Sequence, residues 1–160
     1  MFLLTLSIPR TNAPVKAFPV VAFLFAAAFL ASCVSLQEAS PREVQLASGP
    51  PSPAKAKLFV YRPGRFVSSA LVHRVYVDGR LLGSTASGTF LVTEIEPGHH
   101  MVTAGADQHE LNAQAGRTYY YNQTVWPAMY DTSTATGLEE VSESVGREGV
   151  SKCKQASSNF

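Results

Sequence analysis

The central part of this 160-residue chain predicts an all-β fold, an antiparallel β-sandwich of about seven or eight short strands. Two observations predict it. Between Leu58 and Glu143, Gly or Pro recurs every eight to twelve residues, the spacing of turns between short strands. The runs between those turns are rich in β-branched and aromatic residues, and no amphipathic helical pattern of useful length occurs before Gly137.

Each element follows from its own residues. Residues 58–62 (Leu-Phe-Val-Tyr-Arg) are apolar on both faces and stop at Pro63-Gly64, as a central strand does. Residues 71–77 alternate, with Leu71, His73, Val75 and Val77 on one face and Val72, Arg74 and Tyr76 on the other. Asp78-Gly79 then supplies the positive φ angles of a two-residue hairpin turn into residues 80–83. Residues 89–95 form a strand closed by Glu96-Pro97-Gly98. Residues 99–104 lead to Gly105 and a polar turn at Asp107-Gln108, and the short strand 110–113 ends at Gly116. The longest β run is 117–125, with Tyr119 and Tyr121 on one face and Tyr120 opposite. After an unpatterned stretch at 127–137, residues 138–142 return as an edge strand. Residues 144–155 are a short C-terminal helix spoiled by Gly146 and Gly149. The tail 156–160 is expected to fray.

The N-terminus has a different character. Residues 20–31 are 12 uncharged, mostly apolar residues, preceded by Arg10 and Lys16 and by no acidic residue. A membrane-crossing helix needs roughly 20 such residues; this run has the length of a signal-peptide hydrophobic region. It ends in Leu30-Ala31-Ser32-Cys33, which resembles the lipobox of a bacterial lipoprotein. The expected organisation is therefore a signal-peptide helix at 1–32, then lipidated Cys33 with a disordered linker to residue 56, a β-sandwich domain at 57–155 and the tail. The linker reading rests on Pro41, Gly49, Pro50, Pro51 and Pro53 among small residues; its alternative is a short strand over 43–47.

Removal of residues 1–32 from the 160 leaves 128 residues, about one domain, with 11 basic side chains against 12 acidic. Such a balance gives no basis for binding nucleic acid. Membrane attachment would come from covalent diacylglycerol and N-acyl lipid on Cys33, with no other cofactor expected. Val34 after the Cys, where Asp would retain the protein at the inner membrane, directs the expectation to the outer membrane facing the periplasm. With Cys33 blocked as a thioether, Cys153 has no intramolecular disulfide partner.

A resemblance spans most of the mature chain. Tyr61-Arg62-Pro63, Val75-Tyr76-Val77-Asp78-Gly79 with Gly83, Gly88-Thr89-Phe90, Pro97-Gly98-His99, and Gly116 with Tyr119-Tyr120 occur in order between about Lys57 and Cys153. This pattern resembles the bacterial domain of unknown function DUF2846, whose members are commonly small lipoproteins, and the central piece is similar to PEGA-type surface β-domains. The resemblance implies an envelope β-sandwich and no established activity, so it transfers no catalytic residue.

The residues capable of chemistry favour binding over catalysis. His99 and His100 are adjacent on a strand and leave on opposite faces, His73 lies on an apolar face and His109 sits by a turn, so no metal-ligand set converges. No nucleophile elbow or phosphate loop occurs. Glu94 and Glu96 share one strand face, whereas paired catalytic carboxylates face each other across a substrate. Cys153 lies between Lys152 and Lys154, which would lower its thiol pKa if exposed; the competing reading packs it against Val150. The aromatic residues Tyr76, Tyr120, Trp126 and Tyr130 are the candidate platform for a sugar or a peptide, with Trp126 and Tyr130 at the start of the long loop. The resulting expectation is a non-enzymatic, lipid-anchored domain that binds or scaffolds an envelope protein or glycan. Peptidoglycan binding is the alternative, and a thiol or metal role through Cys153 and the histidines is the weaker one.

Overall fold

Strand β1, Ala56–Arg62, is buried along its whole length, and the rest of the fold covers its two faces. The computed structural model describes residues 36, 38–66, 69–126 and 135–159. The elements run α1 (Pro41–Ser48), β1, β2 (His73–Val77), β3 (Arg80–Thr85), β4 (Thr89–Ile95), β5 (Gly98–Ala104), β6 (Asp107–Ala113), β7 (Thr118–Trp126), β8 (Ala135–Val141), α2 (Glu143–Ser151) and β9 (Lys154–Gln155). They form a five-stranded sheet ordered β8-β7-β1-β4-β9 and a four-stranded sheet ordered β3-β2-β5-β6. The all-β sandwich with a short C-terminal helix is thus the observed fold. The pairing departs from the purely antiparallel expectation in two places, because β1 pairs with β7, and β4 with β9, in parallel.

Alternation along the strands divides the apolar residues into two clusters. Leu58 and Val60 of β1, Leu91 of β4 and Tyr121 of β7 meet Val75, Val77, Leu82, Val102 and Leu111 of the second sheet between the two layers. Phe59, Tyr61, Phe90, Val92 and Tyr120 point the other way, where α1 and α2 cover them through Leu46, Ala47 and Val150. Phe59 stacks on Tyr120 with ring centres 5.0 Å apart and planes 6° from parallel.

The hairpin at Asp78-Gly79 has φ of 51° and 75°, the left-handed pair that a type I′ turn requires. Asp78 also accepts from the Met101 amide at 2.8 Å and holds His100 Nδ1 at 2.6 Å, while His100 Nε2 meets the Glu96 carbonyl at 2.7 Å. With an acceptor at each ring nitrogen, the imidazolium is favoured; burial opposes it, but the Asp78 and Glu96 contacts outweigh burial and push the His100 pKa up. His100 thereby ties the β2–β3 turn to the link between β4 and β5. The turn before β6 falls at Gly105, with φ of 62°, so that strand begins at Asp107 and is longer than the pattern suggested.

Two segments correct the sequence reading. Pro41–Ser48, expected within a disordered linker or a short strand, is a helix. Ser40 Oγ accepts from the Glu43 amide and Glu43 Oε2 accepts from the Ser40 amide, a reciprocal capping box with Pro41 in the first turn. The tail, expected to fray, is ordered through Asn159: the Ala156 amide donates to Phe90 O, Ser158 bridges Gly83, and the Asn159 amide donates to Leu82 O. These contacts join β4 of one sheet to β3 of the other. Gly83 makes them possible, since a Cβ there would lie 2.8 Å from Ser157 O.

The glycines of α2 also have a packing cause. A Cβ at Gly146 would overlap Cγ and Cβ of Tyr120, and one at Gly149 would overlap the Tyr61 ring. They lower helix propensity and, in exchange, let the helix backbone lie directly on two core tyrosines. Gly146→Ala, which in an exposed helix would stabilise by about 1 kcal/mol, is expected here to cost about 1–3 kcal/mol through overpacking. Urea unfolding of the two proteins checks this; a stabilised variant would refute the packing account.

Candidate functional site

Parallel pairing of β1 and β7 brings their C-terminal ends to the same end of the sandwich. The chain leaves β1 there towards β2, turns from β3 into β4 at residues 86–88, turns from β5 into β6 at Gly105 and leaves β7 after Trp126. This loop end is fastened by polar contacts. The Ser87 hydroxyl accepts from the Arg65 amide at 2.8 Å, Arg62 Nη1 donates to Leu71 O at 2.8 Å, and His73 Nδ1 meets Thr136 Oγ1 at 3.2 Å. On the neighbouring edge Asp107 Oδ2 accepts from the Leu138 amide, closing β6 against β8.

Apolar exposure concentrates on this end. Among the described residues five large hydrophobic side chains are exposed, and three belong here: Phe66 at 95 %, Trp126 at 50 % and Val72 at 42 %. Scattered single exposures are ordinary on a protein surface, and these three share one end of the strands. Trp126 is braced: it lies diagonally from Gly137 on the β7–β8 pair, and a Cβ at Gly137 would come 3.2 Å from the indole Cζ3. One indole surface therefore rests on a bare backbone and half of the side chain faces solvent. On the other sheet Val72, His73, Arg74, Tyr76, Ser84 and Gly105 line a shallow depression of about 540 Å³.

The structure separates the other aromatic candidates. Tyr120 lies buried beneath α2 and Tyr76 belongs to the second sheet, so neither extends a platform with Trp126. Tyr130, the lipobox residues Leu30, Ala31 and Ser32, and Cys33 lie outside the described residues.

Several of the remaining reactive side chains have a structural occupation. Cys153 packs with Val150 against the outer aromatic cluster and donates to Arg62 O at 3.5 Å, and burial pushes its thiol pKa up, opposite to the effect expected from flanking lysines. Lys152 is drawn off by Glu148 at 2.6 Å. Among the described residues no three His, Cys, Asp or Glu side chains gather as metal ligands. His109 instead packs edge-on to Tyr121, with ring centres 5.5 Å apart. Glu94 accepts from the Ser52 amide at 2.7 Å and Glu96 pairs with Lys55 at 3.0 Å, so the two carboxylates serve separate partners.

A second surface was missed in the sequence because it depends on α1. Lys57, only 1 % exposed, projects from β1 beneath the end of that helix and donates to the carbonyls of Leu46 and Gly49. At the other end Glu43 accepts from the Ser158 amide and hydroxyl and from Ser157 Oγ. The capping-box pattern at Ser40 and Glu43 was the available sequence signal.

The comparisons with known proteins bear on residues already placed. The DUF2846 family of proteins of unknown function matches residues 52–137, from the approach to β1 into β8. The chain belongs to this family. It is also similar to an uncharacterized protein of Haemophilus influenzae, 28 % identical over 139 residues that cover 83 % of this chain and 81 % of the relative. No solved structure matches. The DUF2846 match includes Trp126 and Lys57, and ends before α2. Among the described residues no helix is long and apolar enough to cross a membrane.

Glu43 makes the tail clasp pH-dependent. Burial acts to raise its pKa, but donors from Ser158 and Ser40 outweigh it and hold the carboxyl at about 2, against 4.5 for a free glutamate. Its folded pKa lies below the unfolded one, so its stabilisation is complete above pH 4.5 and drains as pH falls towards 2. Glu43→Gln is expected to unfold at lower denaturant at pH 7 and to lose less stability across that acid window than the wild type. Parallel urea titrations at several pH values measure both; identical acid dependence would reject the clasp.

Proposed function

We propose that this chain is a lipid-anchored, non-catalytic module of the bacterial cell envelope whose loop end binds or scaffolds another envelope component. The observation that carries the binding role is the exposure of Phe66, Val72 and Trp126 at one end of a sandwich in which Glu94, Glu96, Cys153, His73, His100 and His109 have structural partners. The lipobox motif at Leu30 to Cys33 supports the anchor, with diacylglycerol and N-acyl chains on Cys33 as the membrane attachment and the periplasmic face of the outer membrane as the location. Labelling of the full chain in cells with an acyl-chain analogue should mark the wild type and leave Cys33→Ala unlabelled and released from membranes. Equal labelling of the two would sink the anchor.

A second reading makes the loop end a glycan-binding site: an indole braced on Gly137 with an open surface suits stacking on a sugar ring. Retention of the purified chain on isolated cell wall should fall several-fold in Trp126→Ala under this reading. Undiminished retention would remove Trp126 from any glycan site and leave a protein partner as the occupant.

A further inference from the structure

Between α1 and α2, over the outer face of the five-stranded sheet, lies a groove of about 820 Å³. Its volume is within the roughly 300–1,000 Å³ of small-molecule sites. Trp126 takes no part in it, so it is independent of the loop-end reading. The floor is aromatic. Tyr120, Phe59 and Phe90 come from the neighbouring strands β7, β1 and β4. The Phe59 ring centre lies 5.0 Å from that of Tyr120 and 5.9 Å from that of Phe90. Three strands at about 4.8 Å spacing make the strip roughly 10 Å long between its outer rings, which with the rings' own width suits an extended chain of about ten carbons. Ala47 of α1 and Val150 of α2 pack against the same rings, and Val44 of α1, 49 % exposed, carries the apolar wall out into solvent.

The charges of the lining reduce to one. Arg147 and Glu143 pair with each other across one turn of α2 at 2.6 Å. Lys57 is spent on the carbonyls of Leu46 and Gly49. Arg117, exposed just before β7, has no ion pair or side-chain hydrogen bond among the described residues. An apolar strip beside an unpaired guanidinium is complementary to a long apolar chain with an anionic head, and the guanidinium fork matches a carboxylate. A peptide is served less well, because the floor is a sheet face whose backbone donors and acceptors are used between the strands.

We propose that this groove binds a fatty acid, with its chain along Tyr120, Phe59 and Phe90 and its carboxylate on Arg117. The test uses the purified full chain carrying Cys33→Ala, which excludes an acyl chain of its own. It is titrated with decanoate, hexanoate and decanol below their aggregation limits and followed by the amide chemical shifts of Phe59, Phe90, Tyr120 and Val150. Saturable shifts with decanoate are expected, with hexanoate at least about tenfold weaker because four methylenes of apolar contact are lost. Decanol should bind about tenfold more weakly than decanoate, and Arg117→Ala should reduce decanoate to the affinity of decanol while leaving decanol unchanged. Val44→Glu, which sets a carboxylate against the apolar wall, should abolish decanoate binding, and Trp126→Ala should leave it intact. Arg117 and Val44 are both exposed, so these variants should keep the parent melting curve. Absence of saturation at these amides overturns the proposal, as does equal affinity for hexanoate and decanoate. Decanoate binding that survives unchanged in folded Arg117→Ala or Val44→Glu overturns it as well. Concentration-dependent shifts of the same amides without any ligand would put a second copy of the chain in the groove and reject the fatty acid.

Discussion

The Lys57 ammonium sits on a face of β1 that the fold buries, and the carbonyls of Leu46 and Gly49 at the end of α1 replace the water it loses. An ammonium left without acceptors in that position would cost several kcal/mol. The last turn of a helix is a suitable receptor, because its carbonyls lack partners within the helix and carry the negative end of its dipole. Placement of α1 therefore follows from a charge in the strand it covers. The start of the helix is fixed in turn by Glu43, which links its own N-cap to Ser158, and Ser158 links the two sheets. A cation in the central strand, a short helix and the chain terminus form one dependent series.

Legibility in the sequence divided along the line between local and non-local causes. The β1 strand, the Asp78-Gly79 turn and the opposed tyrosines of β7 were readable because each is decided by period-two alternation or by the φ of one or two residues. The parallel β1–β7 pairing was not readable, since alternation says which face a residue takes and nothing about which strand lies beside it. α1 was obscured by the prolines and small residues around it, although Ser40, Pro41 and Glu43 spelled a helix start. The order of the tail had no local signal, as it depends on Gly83 more than seventy residues earlier.

The candidate surfaces show the same division. Trp126 stood out as the single tryptophan beside an unpatterned stretch. Its bracing by Gly137 required the β7–β8 register, and its company with Phe66 and Val72 required the parallel pairing. Tyr76 and Tyr120 resembled it in type and proved to serve different layers. Cys153 shows how burial reverses a local electrostatic expectation: its neighbouring lysines point to a reactive thiolate, but the packing around it favours the neutral thiol.

The clasp between Gly83 and Ser158 gives residues 156–159 an architectural duty. A strand edge, the Glu43 carboxylate and the seam between the sheets meet there within a few residues. An insertion in this segment would pull directly on the seam, and cleavage of the backbone after Gln155 would unfasten one side of the sandwich. Residues 156–159 act as a closure between the two sheets.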